Sequence, residues 1–210
     1  MRILIACEES GTVRDAFIKR GHDAVSCDII PTSSPGPHIQ GNVLEIINDG
    51  WDMMIAFPPC TYLTYAATRH WNNPGREEKR TAAMDFFMAM INADIGKICV
   101  ENPVGYPNTI YRKPNQIVHP YYFGEPYQKR TCFWLKNLKP LDYSSTLIEK
   151  PKPMYICKGK KCYGKAIGWT EGIRGMNAEE RSRARSKTFQ GIADAMAEQW
   201  GGEPLKEIER

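Results

Sequence analysis

Five short apolar runs, each too brief for a helix, constrain this sequence most: RILIAC (2–7), HDAVSCDII (22–30), WDMMIAF (51–57), GKICVENP (96–103) and RTCFWLKNL (130–138). Runs of this length with little polar alternation read as strands buried on both faces. The chain between most of them has helical spacing. In SGTVRDAFIKRG (10–21), Val13, Phe17 and Ile18 share a helical face, Ser10 is placed to cap the start and Gly21 to end it. PTSSPGP (31–37) reads as a loop and NVLEIIND (42–49) as a short helix capped by Asn42. GREEKRTAAMDFFMAMINA (75–93) is the longest helix expected, with Ala83, Phe86, Phe87, Met90 and Ile91 as its apolar stripe. Strands alternating with helices predict an α/β fold, a doubly wound and mostly parallel sheet covered on both faces. The 210 residues suit one domain with room for a small appendage.

Such sheets bind ligands beyond the carboxyl ends of their strands. Cys7-Glu8, Asp28, Pro58-Pro59-Cys60 and Glu101-Asn102-Pro103 all fall at or near strand ends and are expected to meet in one crevice. Two prolines cannot continue a strand ladder, so Pro58 and Pro59 turn the chain out of the sheet and leave the Cys60 thiol at its mouth. Alkylation of a pyrimidine at C5 needs three groups. A thiolate adds at C6 and makes C5 enamine-like, an acid at N3 stabilises the adduct, and a cation helps to bind the base. Cys60, Glu101 and Arg130 offer these groups, each at the end or start of a strand.

These stretches resemble the motifs of the C5-cytosine DNA methyltransferases. PPCTYLT resembles their catalytic Pro-Cys loop, with Cys60 as nucleophile and Thr64 where a serine is usual. ENP resembles their Glu-Asn-Val motif, with Glu101 as the acid and Asn102 beside the substrate. YQKRTCFW resembles their Gln-x-Arg-x-Arg motif, with Gln128 and Arg130 in place and Cys132 where the second arginine would stand. The resemblance implies a Rossmann-like fold and S-adenosylmethionine (AdoMet) as cofactor. The cofactor would be held by Ala6, Cys7, Glu8, Ser10 and Gly11, by Asp28 and Ile29, by Asn42 and by Pro58. ACEESG falls where the family's loop is glycine-rich, but sets Glu8 and Glu9 beside Ser10 and Gly11, and these acids suit a ligand bearing an ammonium and a sulfonium. FQGIADAMAEQWG (189–201) resembles the last family motif, a helix beside the cofactor. Small phage-borne members are a closer likeness than the longer restriction-system enzymes.

The resemblance divides the chain into a catalytic core (1–138), a small basic recognition-like region (139–186) and a returning C-terminal helix (187–210). Lys150 to Lys187 carries eleven basic and three acidic side chains in a chain of net charge +4, so the remainder is mildly acidic. That asymmetry points to a polyanionic partner. Duplex DNA with an extruded base is the partner expected, with Lys160, Lys161, Arg181 and Arg183 among the phosphate-binding candidates. A capping box of Asn177 and Glu180 starts a helix there. A free pyrimidine nucleotide, single-stranded nucleic acid or RNA is the alternative substrate; a non-catalytic nucleic-acid-binding relative is the alternative function. CKGKKC (157–162) supplies two possible zinc ligands but no evident second pair, so no metal is expected. Seven dispersed cysteines read as free thiols rather than a disulfide framework. No apolar run approaches a membrane span and no targeting segment is evident, so the cytoplasm is the expected location.

Overall fold

The computed structural model describes residues 1–151 and 176–202. Its frame is a seven-stranded sheet. The strands are β1 (Arg2–Ala6), β2 (Asp23–Asp28), β3 (His38–Gln40), β4 (Met53–Ala56), β5 (Lys97–Pro103), β6 (Gln116–Val118) and β7 (Thr131–Lys136), in the spatial order β3-β2-β1-β4-β5-β7-β6. All pairs from β3 through β5 are parallel, and β7 alone runs antiparallel to its two neighbours. The fold is therefore the Rossmann-like, mostly parallel α/β sheet that the alternating runs predict. Strand order reverses between β1 and β4, and a crevice opens at such a switch point.

Residue alternation divides the interior into two cores. Ile3, Ile5, Met53 and Ile55 face α1 (Thr12–Ile18) and α5 (Gln190–Gly201), meeting Val13, Phe17, Ile192, Met196 and Trp200. Leu4, Ala6, Met54 and Ala56 face the other way, toward Phe87 and Met90 of α2 (Arg76–Ile91) and Trp134 of β7. Strands buried on both faces have no polar side, which explains why their runs lack alternation. A short α3 (Pro107–Ile110) follows β5, and α4 (Ala178–Ser186) precedes α5. The Asn177–Glu180 capping box is formed, with Glu180 N–H on Asn177 Oδ1 at 2.9 Å and Asn177 N–H on Glu180 Oε2 at 3.0 Å.

Two local expectations change. Residues 38–40 pair with β2 as an edge strand, and residues 116–118 pair with β7; neither was expected to be a strand. Ser10 is not the N-cap of α1. Gly11 takes that position at φ 70°, a left-handed conformation that suits glycine, and the Glu8 carboxylate accepts from Val13 N–H at 2.7 Å and Arg14 N–H at 3.3 Å. Asn42 does cap, its Oδ1 accepting from Leu44 N–H at 3.2 Å ahead of a 3₁₀ turn.

Candidate active site

A cavity of about 590 Å³ lies beyond the carboxyl ends of β1, β2, β4 and β5. Cys7, Glu8, Glu9, Ser10, Asp28, Pro58, Cys60 and Glu101 all line it, so the strand ends do converge in one crevice. Lys129, and Arg183, Arg185, Lys187 and Thr188 at the end of α4, line it as well. The lining thus carries the acids Glu8, Glu9, Asp28 and Glu101 together with four cations, Lys129, Arg183, Arg185 and Lys187.

Cys60 sits in a loop tied at several points. Asn102 is fully buried, and its Nδ2 donates to the Pro58 carbonyl at 2.8 Å. The amides of Leu63 and Thr64 donate to the Cys60 carbonyl at 3.0 and 2.9 Å. Arg76 Nη2 reaches back from α2 to the Thr61 carbonyl at 3.1 Å, and its guanidinium lies 4.4 Å from the centroid of the Tyr62 ring. Burial raises the Cys60 thiol above its ordinary value, the Glu101 charge adds to this, and Lys129 and Arg185 oppose it. Glu101 is raised by burial and opposed by Lys129. A raised carboxyl holds its proton to higher pH, which suits a group that donates one.

On the acidic side, Glu8 is committed to the start of α1, and its buried carboxyl is raised despite the two amides it accepts from. Burial and the neighbouring Asp28 push the Cys7 thiol up to about 12, which disfavours its thiolate near neutrality. Asp28 Oδ1 accepts from Ile30 N–H at 3.2 Å, while Glu9 Oε2 is buried without a hydrogen-bond partner. An orphaned carboxylate oxygen fits a ligand that brings its own donors, such as an ammonium or ribose hydroxyls. These residues fit AdoMet.

Several predicted residues lie elsewhere. Ala6 and Gly11 support the loop from beneath as strand end and helix cap, and Ile29 and Asn42 lie outside the cavity lining. Thr64 caps the following 3₁₀ turn, accepting from Ala66 N–H at 3.3 Å, and does not line the cavity. Asn102 positions the Pro58–Cys60 loop instead of facing a substrate. Gln128 Nε2 donates to the Pro151 carbonyl at 2.7 Å, where the basic segment departs. Arg130 is exposed and absent from the cavity lining; its charge is felt by His119 and Tyr122. Cys132 is fully buried in the α2-side core, which leaves no room there for a second arginine. Arg183 lines the cavity, while Lys160, Lys161, Cys157 and Cys162, and the side chain of Arg181, lie outside the described residues.

The sequence reading missed Lys129 and Arg14. Lys129 is two residues ahead of Thr131 and four ahead of Phe133, and all three border a small apolar recess beneath Glu101. Strand alternation from Phe133 was the signal that could have found it. Arg14 is fully buried. Its guanidinium donates to Asp15 at 2.8 Å, Ser26 Oγ at 3.2 Å, and the Ser34 and Pro35 carbonyls at 3.2 and 3.0 Å. It thereby fastens the loop after β2 against the start of α1.

No protein-family model matches the chain, and no curated protein matches it. Among solved structures, it is similar to a methyltransferase of Entamoeba histolytica, with TM-score 0.46 and 14% identity over 71% of this chain and 57% of that one. It is also similar to a Spodoptera frugiperda DNMT2 mutant, with TM-score 0.41 and 16% identity over 85% of this chain and 61% of that one. The chain therefore spans less than two thirds of the length of either structure. Among the described residues, no helix is long and apolar enough to cross a membrane, and no group of three or more His, Cys, Asp or Glu could hold a metal.

Proposed function

We propose that the protein is an AdoMet-dependent methyltransferase that methylates C5 of cytosine in DNA through a covalent adduct at Cys60. The observation that carries this reading is that Cys60 and Glu101 line one cavity whose lining holds both acids and cations. The acids Glu8, Glu9 and Asp28 suit the cofactor's ammonium and hydroxyls, and the cations suit phosphates. The volume suits a base extruded from the duplex, since a stacked base is out of reach of a thiol in a crevice.

The chemistry follows from the two side chains. As thiolate, Cys60 adds to cytosine C6; the S–C6 bond forms, the C5–C6 π pair shifts toward C5, and N3 takes the proton held by Glu101. Bound AdoMet supplies an electrophilic methyl group to C5. The C5 proton is lost to solvent water, the C5–C6 double bond re-forms, Cys60 leaves as thiolate and Glu101 recovers the N3 proton. Asn102 holds the Cys60 loop throughout.

Labelled AdoMet with duplex, single-stranded DNA, RNA and free nucleotide as competing acceptors tests the substrate. Duplex is expected to take the label, and a 5-fluorocytosine duplex to trap a covalent adduct on Cys60. Cys60→Ala should lose transfer and adduct while still binding cofactor. Full activity in Cys60→Ala would overturn the mechanism, and preferential labelling of RNA or nucleotide would overturn the DNA assignment.

A further inference from the structure

We infer that Lys129, and not Arg130, is the cation that serves the Cys60–Glu101 pair. The inference concerns the same site and rests on the reading of Cys60 as nucleophile. Register carries it. β7 pairs antiparallel with β5, so Glu101 lies opposite Phe133 and Pro103 opposite Thr131. Continuing the two-residue period from Phe133 through Thr131 puts Lys129 on the Glu101 side and Arg130 on the other. The surroundings agree. Lys129 lines the large cavity together with Cys60 and Glu101, and borders the recess beneath Glu101 with Thr131 and Phe133. Arg130 lines neither.

Lys129 is also held in place. Its Nζ donates to the Arg185 carbonyl at 3.1 Å and lies 5.8 Å from the centroid of the Phe189 ring. It therefore joins the catalytic end of the sheet to the chain between α4 and α5, the wall that carries Arg183 and Lys187. The charged groups that act on Cys60 are Glu101 from β5, Lys129 ahead of β7 and Arg185 from α4; Glu8, Glu9, Asp28, Arg183 and Lys187 line the rest of the cavity. Glu101 disfavours the thiolate, while Lys129 and Arg185 favour it. A lysine in this role differs from an arginine: it acts as a compact point charge and offers no planar fork for bidentate contact.

The test needs no substrate, so its failure is separable from failure of the methyltransferase reading. Cys60 alkylation by iodoacetamide is followed across pH by peptide-resolved mass spectrometry. In Lys129→Gln the profile should move to higher pH, and the rate at pH 8 should fall by about three- to tenfold. Lys129→Arg should restore it. Arg130→Gln should shift the profile much less. Lys129→Met keeps the stem over Phe189 and should behave like Lys129→Gln, which keeps the test valid if the glutamine variant folds poorly. An unmoved profile in both neutral variants, or a larger shift in Arg130→Gln than in Lys129→Gln, would overturn the inference.

Discussion

Asn102 offers the sharpest check on how the nucleophile is aimed. Its side chain is fully buried, Nδ2 donates to the Pro58 carbonyl at 2.8 Å, and Oδ1 has no partner. Asn102→Ala removes that carbonyl's side-chain donor, at a cost of about 1–3 kcal/mol for a buried acceptor left unpaired. Deleting the orphaned Oδ1 gives part of this back, so a net loss of about 1–2 kcal/mol is expected. Asn102→Asp is nearly isosteric and should be worse near neutral pH. It aims an acceptor at an acceptor and buries a charge, so about 3 kcal/mol or more is expected. That excess should shrink as acid protonates the new carboxyl and gives it a proton to donate. Urea unfolding at pH 7 and pH 5 measures both effects. The functional readout is the rate of Cys60 trapping by a 5-fluorocytosine duplex, which should drop by about tenfold or more in Asn102→Ala, because a small misplacement of the attacking atom is costly. Cofactor affinity should change little, since Asn102 does not line the cavity. An alanine variant as stable and as quickly trapped as the parent would refute the reasoning, as would an aspartate variant no worse than alanine at pH 7.

Glu101→Gln should separate stability from chemistry. Burial raises the Glu101 pKa in the folded protein, so the stability it contributes is present below the ordinary carboxylate value and lost as pH rises through the raised folded value. The glutamine variant should therefore be more stable than the parent at pH 7, lose that advantage in acid, and transfer methyl groups far more slowly; equal pH dependence of unfolding in the two proteins would contradict this. Arg14→Met strips the loop after β2 of its buried donors and should destabilise by about 3 kcal/mol, read by thermal or urea unfolding. Gly11→Ala should also destabilise, because φ is 70° there and an added Cβ would collide with the Arg14 guanidinium; an alanine variant of unchanged stability would count against that packing.

The inner strands were legible because they are buried on both faces and announce themselves as unbroken apolar runs. β3 and β6 were not. Each is three residues long, and each owes its strand conformation to pairing with a longer neighbour rather than to its own composition. The reversed direction of β7 was equally hidden, since periodicity reports burial and not strand polarity. The start of α1 was misread for a related reason. Ser10 has the right side chain for a cap, but its Oγ accepts only from Thr12 N–H, while Glu8 takes the Val13 and Arg14 amides from outside the helix, and only the tertiary course of the loop brings it there.

At the site, what the sequence disclosed was which residues occupy strand ends; what it concealed was which way they face. Cys60 was legible because the chain leaving β4 opens toward the crevice, and Glu101 because it lies near the end of β5. Arg130 and Lys129 are different. They sit just ahead of a strand that enters the sheet at the crevice end and runs against its neighbours, and a shift of one residue exchanges one face of the strand for the other. Motif likeness favoured the arginine because it matches by residue type. Pairing with β5 favours the lysine because it matches by side. Cys132 makes the same point from the interior: it lies one residue from Thr131, on the opposite face of the strand and packed in the α2-side core, where an arginine would carry an unmatched charge into a fully buried position. Side, fixed by register, thus governs which basic residue of this stretch can act on the thiol.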